Sequence, residues 1–238
     1  MNQPVDNRLP NAFGCLAPLI AGVMATGGTT ATTAGVTPPL RIGVMGGTFD
    51  PVHFGHLMVA QAAYEQHDLA GVLFMPCSFP FYKDTNLASD AATRLTMLEL
   101  ALGGDDRFAV SRIETDRTGY SYTYKTLEML SELTLTAVEY FLIVGADALK
   151  DLPKWRNAGY IAQTVTVLYA ARPGSDLALV EAQAQQSGFR ILKIEAPLIE
   201  ISSSTIRARA KAGLSLRYHT PDAVVDYINQ HRDTVFGG

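Results

Sequence analysis

From Leu40 onward the apolar positions alternate between short runs and longer segments of helical period. Leu40–Met45, Val72–Met75, Tyr140–Val144, Thr164–Ala170 and Arg190–Ile194 read as strands, and Phe108–Ile113 alternates like one. Between and after them, Gly55–Asp68, Ala88–Leu102, Tyr120–Leu133, Leu177–Gln186, Ser204–Ala212 and Pro221–His231 read as helices. Leu57, Ala60, Ala63 and Tyr64 share one stripe, as do Leu95, Leu98 and Leu102. Near-continuous apolar strands alternating with helices imply right-handed βαβ units, and so a parallel sheet covered on both faces. The expected fold class is α/β: a Rossmann-like doubly wound parallel sheet with helices on both faces, forming a single domain over residues 40–238. In such sheets ligands lie beyond the carboxyl ends of the strands, near the point where strand order reverses. Chemistry is therefore expected just after Met45, Met75, Val144 and Ala170.

Residues 1–39 do not share this pattern. Sixteen of the nineteen residues from Ala21 to Pro39 are Ala, Gly, Thr or Pro, with little apolar bulk to offset the entropy of ordering. The apolar stretch Leu16–Met24 is interrupted by Pro18 and Gly22, and the start carries Asp6 beside Arg8 instead of a basic cluster. The region reads as a low-complexity, flexible extension. No segment is long and apolar enough to suggest a membrane span, so the cytoplasm is the default location and no membrane partner is expected.

Charge refines the picture. The 238 residues carry 19 Lys+Arg and 23 Asp+Glu, a formal −4, which argues against a protein that grips nucleic acid. Two cysteines, Cys15 and Cys77, are too few for a thiolate metal site or a disulfide scaffold. Yet Ser202 to Thr220 contains Arg207, Arg209, Lys211 and Arg217 with no acid at all, a local basic stretch inside an acidic chain.

The candidate chemistry begins where the first strand ends. Gly46-Gly47-Thr48-Phe49-Asp50-Pro51-Val52-His53-Phe54-Gly55-His56-Leu57 runs from strand to helix and is neither Gly-x-Gly-x-x-Gly nor a P-loop. The glycines let a ligand approach the backbone, the helix start offers free N–H groups, and His53 and His56 can face one ligand there. A pair of capping histidines is the bland alternative. A zinc site lacks further ligands, and a nucleophile–base pair lacks a nearby Ser or Cys. Phosphate binding uses every feature of the segment. Ser202–Thr205 can likewise be a plain serine-rich cap, but Arg207 one turn later can join those hydroxyls on a phosphate.

Thr48–His56 resembles the signature of the nucleotidyltransferase superfamily with the His-x-Gly-His motif, and Ile201-Ser202-Ser203-Ser204-Thr205-Ile206-Arg207 resembles its second signature. The longer first string is similar to that of the nicotinate-nucleotide adenylyltransferase family. The resemblance covers most of residues 40–231. It implies ATP binding by Gly46, Gly47, Thr48, Phe49, Ser203 and Arg207, with His53, His56 and Arg207 serving catalysis. It implies acceptor binding by Lys83, Thr123, Gly145, Asp147, Trp155 and Arg172: Gly145-x-Asp147 with Leu152-x-x-Trp155, Tyr122-Thr123 and Arg172-Pro173-Gly174 all match family segments. For each the bland role is a cap, a surface base or, for Trp155, core filling.

Two departures concern the acceptor. Pro80-Phe81-Tyr82-Lys83 replaces a histidine usual in the family, and Lys125 stands where an acid is usual. The resemblance implies adenylyl transfer from ATP to nicotinate mononucleotide, with pyrophosphate release and Mg²⁺ arriving on the ATP. Nicotinamide mononucleotide or phosphopantetheine as acceptor, or a non-catalytic nucleotide-binding regulator, stay open at this point. The expected partners are ATP and a pyridine mononucleotide, no protein metal site and no nucleic acid, and a homo-oligomer is compatible with the sequence.

Overall fold

The computed structural model describes residues 38–78, 87–133, 138–171, 177–197 and 199–236. Six parallel strands form one sheet: β1 (Leu40–Gly47), β2 (Gly71–Pro76), β3 (Phe108–Val110), β4 (Val138–Gly145), β5 (Thr166–Ala170) and β6 (Arg190–Ile194), in the order β3-β2-β1-β4-β5-β6. The chain starts in the middle and winds outward in both directions, so β1 and β4 flank the switch point. The helices are α1 (Phe54–Gln66), α2 (Ala91–Leu102), α3 (Thr123–Leu133), α4 (Ala146–Asp151), α5 (Ala158–Thr164), α6 (Ala178–Gln186), α7 (Ser203–Lys211), α8 (Asp222–Gln230) and α9 (Arg232–Val235), with a 3₁₀ turn at Leu152–Lys154. The doubly wound α/β fold expected from the periodicity is the one observed.

Strand alternation divides the core in two. Phe74, Phe141, Ile143 and Leu168 point to one face, where Ala60 and Ala63 of α1, Leu98 of α2, Ile206 of α7 and Val224 and Ile228 of α8 cover them. Leu73, Met75, Leu142, Val144 and Val167 point to the other, under Leu127 of α3, Leu149 of α4, Ile161 of α5 and Ala184 of α6. Both faces are apolar because both are covered. The edges are protected differently: β3 has three residues, and β6 keeps Arg190 and Lys193 exposed.

Several boundaries differ from those the sequence suggests. The helix expected from Ala88 begins at Ala91, because the Asp90 side chain accepts the Thr93 N–H at 2.7 Å and stops it there. The helix expected from Tyr120 begins at Thr123, and the strand expected to Ile113 ends at Val110. Thr164 closes α5 instead of opening β5. The short helices α4, α5 and α9 carry too little periodicity to be read from the chain. Among the described residues no helix is long and apolar enough to cross a membrane. Lys83, Arg172 and the extension up to residue 37 lie outside the described residues.

Leu98 is fully buried in α2, against the sheet face beneath the first signature. Leu98→Ala should cost about 2–5 kcal/mol through lost transfer energy and a residual cavity, read as a lowered urea midpoint at unchanged slope.

Candidate active site

The loop between β1 and α1 is held as tightly as the core. Phe49, Asp50, Val52 and His53 are all buried, Phe49 has φ +48°, and the Asp50–Pro51 peptide is cis. Gly47 gives the Phe49 ring room, since a Cβ on it would stand 3.0 Å from that ring and press it aside. The carbonyls of the loop are gripped from outside. Arg94 Nη1 donates to Thr48 O at 2.9 Å, Arg207 Nη1 to Asp50 O at 2.6 Å, Ser203 Oγ to Pro51 O at 2.8 Å, and Thr220 Oγ1 to Val52 O at 2.8 Å. The Ala88 N–H donates to Asp50 Oδ2 at 2.8 Å, and the Phe54 N–H to His219 O at 3.1 Å.

His53 precedes the first residue of α1 in an extended conformation, and its ring stacks on that of His56, with centroids 3.7 Å apart. The His53 backbone N–H donates to His56 Nδ1 at 3.2 Å, which places the His56 ring proton of the neutral form on Nε2. The Phe49 ring stands edge-on to His56 at 5.0 Å. Gly55 makes the histidine pair possible, since a Cβ there would lie 3.0 Å from His53 Nδ1. Burial brings the His53 pKa down to about 4, so its imidazole is neutral at physiological pH. A neutral ring still has one N–H to donate, without a charge of its own.

The second signature lands on the first. Ser202 caps α7, accepting the Thr205 N–H at 3.1 Å, and the first turn points at the loop. Ser203 and Arg207 are therefore engaged with loop carbonyls of Pro51 and Asp50, and Arg207 also lies 3.9 Å from Asp50 Oδ2. One guanidinium nitrogen is used in the carbonyl contact; Nε and Nη2 make no further hydrogen bond among the described residues. The structure thus brings together His53, His56, Gly46, Gly47, Thr48, Phe49, Ser203 and Arg207, from segments about 150 positions apart.

Across the switch point, Gly145 ends β4 and caps α4, with open space where a Cβ would stand. Asp147 is exposed in the first turn of α4. Trp155 follows the 3₁₀ turn and is half-buried against the second core cluster. Thr123 opens α3. Tyr122 just before it has the Arg156 guanidinium 5.1 Å above its ring. The carboxyl ends of β1 and β4 thus separate a histidine–arginine side from an aromatic side.

Two polar residues were invisible to sequence reading. Arg94 is 1 % exposed and donates to Cys77 O at 2.7 Å as well as to Thr48 O. Its spacing four residues before Leu98 puts it on the apolar stripe of α2, the one signal that could have marked it. Glu114 is buried, accepts from Thr126 Oγ1 at 2.6 Å, and is pushed above the usual carboxylate range by burial. Among the described residues, the buried side-chain polar atoms without a partner are Asp50 Oδ1, His53 Nδ1 and Arg94 Nε. All three belong to this loop or to the side chain that grips it.

The Cytidylyltransferase-like family model matches residues 44–209. The "Probable nicotinate-nucleotide adenylyltransferase" of Thermomicrobium roseum is 38 % identical over 193 residues, covering 80 % of this chain and 90 % of that protein. Its namesake in Roseiflexus castenholzii is 40 % identical over 190 residues, covering 79 % and 94 %. The fold is similar to that of the Plasmodium falciparum nicotinic acid mononucleotide adenylyltransferase complexed with NaAD, at TM-score 0.69 and 17 % identity over 83 % of this chain and 98 % of that one. The chain belongs to the Cytidylyltransferase-like family and, within it, to the nicotinate-nucleotide adenylyltransferases.

Proposed function

We propose that this protein transfers the adenylyl group of ATP to the phosphate of nicotinate mononucleotide, forming nicotinate adenine dinucleotide and pyrophosphate. The carrying observation is the meeting of the two signatures, with Arg207 and Ser203 docked on the Asp50-Pro51 backbone beside the stacked histidines. An oxygen of the acceptor phosphate attacks the α-phosphorus of ATP, and the bond to the bridging oxygen breaks, its electrons leaving on pyrophosphate. That oxygen is ionised at neutral pH, so positioning and charge stabilisation suffice.

Each group has a part in this reading. Gly46, Gly47, Thr48 and Phe49 line the phosphates of ATP with backbone. His53 and His56 donate to the α-phosphate region, and the remaining N–H groups of Arg207 meet the leaving pyrophosphate. Thr123, Gly145, Asp147 and Trp155 receive the acceptor, with Trp155 stacking on the pyridine ring, and Lys83 and Arg172 add charge. Among the described residues no group of three or more His, Cys, Asp or Glu side chains is placed to hold a metal ion. Mg²⁺ belongs in this reading to the substrate, as Mg-ATP, and no step is routed through a protein metal site. ATP as donor supports action in the cytoplasm, and the acidic balance supports partners that are nucleotides, not polynucleotides.

His56→Ala should lower kcat about 10²–10³-fold with KM for nicotinate mononucleotide little changed, and lower Tm modestly because the His53 N–H loses its acceptor. Pyrophosphate release followed with nicotinate mononucleotide, nicotinamide mononucleotide and phosphopantetheine in turn tests the acceptor, and absent release with all three overturns the reading. Burial of His53 has a separate consequence for stability. The unfolded chain protonates this ring near pH 6.5, whereas the native ring resists until about pH 4. Between those values the unfolded state binds more protons, so stability should fall on acidification by an amount on the order of 2–3 kcal/mol. Urea titrations from pH 7 to 4 should show a shallower loss for His53→Gln. That comparison removes the opposing contribution of Glu114, whose raised pKa favours the native state as pH falls.

A further inference from the structure

We propose that Arg94 is a positioning residue for nucleotide binding: its buried guanidinium orients the Thr48–Phe49 peptide toward the phosphates of ATP and places a positive charge, without a carboxylate in contact, beneath them. The inference rests on the adenylyl-transfer reading for the identity of the ligand.

The geometry begins with α2. The Arg94 backbone is fixed one turn into the helix, its N–H donating to Asp90 O at 3.1 Å, and Leu95, Met97 and Leu98 bury the neighbouring positions. The side chain therefore runs under the carboxyl ends of β1 and β2. There Nη1 bridges Thr48 O and Cys77 O at 2.9 and 2.7 Å, just beyond the last paired residues of the two strands, Gly47 and Pro76. A trans peptide holds its C=O and N–H on opposite sides. By drawing the Thr48 carbonyl toward α2, Arg94 turns the Phe49 N–H away from it. That N–H makes no hydrogen bond among the described residues, and Phe49 is held at φ +48°, a conformation that a phenylalanine rarely takes unaided.

Charge makes Arg94 more than a strut. A neutral donor would suffice to tie two carbonyls. A guanidinium 1 % exposed loses most of its hydration, and buried charges are ordinarily paired. No carboxylate lies within 4 Å of Arg94 among the described residues, and its Nε has no partner. Two carbonyl dipoles and, from one helical turn back, the exposed Asp90 carboxylate compensate it only in part. An anion held by the loop above would complete the compensation, and the low-dielectric setting strengthens the attraction. Arg94 does not touch the reacting atoms in this arrangement; it acts through the Thr48–Phe49 peptide and through its field.

Two variants separate charge from bracing. Arg94→Gln keeps a neutral donor, and Arg94→Lys keeps the charge with a single attachment point. The readouts are kcat, KM for ATP, KM for nicotinate mononucleotide, and the rise in Tm produced by Mg-ATP or by the acceptor alone. The glutamine variant should raise KM for ATP about tenfold or more and lose the Mg-ATP rise in Tm, while KM for the acceptor stays within about twofold. The lysine variant should raise KM for ATP only about threefold, again at unchanged acceptor KM. A folded glutamine variant with wild-type KM for ATP overturns the proposal, as does an equal rise in both KM values. Should Arg94→Gln fail to fold, Arg94→Lys decides: a selective rise for ATP supports the proposal, and equal effects or none overturn it. A wild-type protein without turnover would sink adenylyl transfer, yet a Mg-ATP rise in Tm lost in the glutamine variant would still sustain the role of Arg94.

Discussion

Four carbonyls of one buried loop, those of Thr48, Asp50, Pro51 and Val52, are each held by a side chain that arrives from elsewhere: Arg94, Arg207, Ser203 and Thr220. A buried loop has no water to satisfy its backbone, so these donors are a condition of its existing at all. Three of the four come from beyond residue 200, so the shape of the loop depends on the C-terminal segment being closed on the sheet. At the trans Thr48–Phe49 peptide the same inward pull leaves the Phe49 N–H on the opposite side of the chain, whereas the cis Asp50–Pro51 peptide has no N–H and that of His53 goes to His56.

The histidines inherit their properties from that closure. His53 is buried because the loop folds over it, and its charge is suppressed for the same reason. Gly55 has no side chain where the His53 ring must lie, and His56 accepts the backbone N–H of His53, so the two rings stack. Permanent positive charge in the site comes from arginine, which stays charged at any relevant pH. Arg207 approaches the loop from α7 and Arg94 from α2, so positive charge reaches the loop from two elements.

The general form of the fold was readable along the chain because burial on both faces writes a near-continuous apolar strand, and helices write a stripe. Leu73 and Phe74, pointing to opposite faces, are both apolar for that reason. Where an element is short or its end is set by one cap, that pattern fades. Asp90 decided the start of α2, and α4 and α5 hold too few turns to show a period. The net −4 was an average that hid the arginines gathered around one loop.

Sequence alone determined which residue types could serve the site: the glycines, the paired histidines and the hydroxyl-rich turn with Arg207 carry local chemistry that survives in a string of letters. It also determined the layout, since strand and helix periods are local. Tertiary structure decided what those residues do to one another. Ser203 and Arg207 read as phosphate ligands in the chain, yet in the fold they first serve the carbonyls of Pro51 and Asp50. Arg94 reads as one polar residue in a helix, yet it is among the most buried side chains of the molecule. Burial and long-range hydrogen bonds are properties of closure between distant segments, and no local window of sequence contains them.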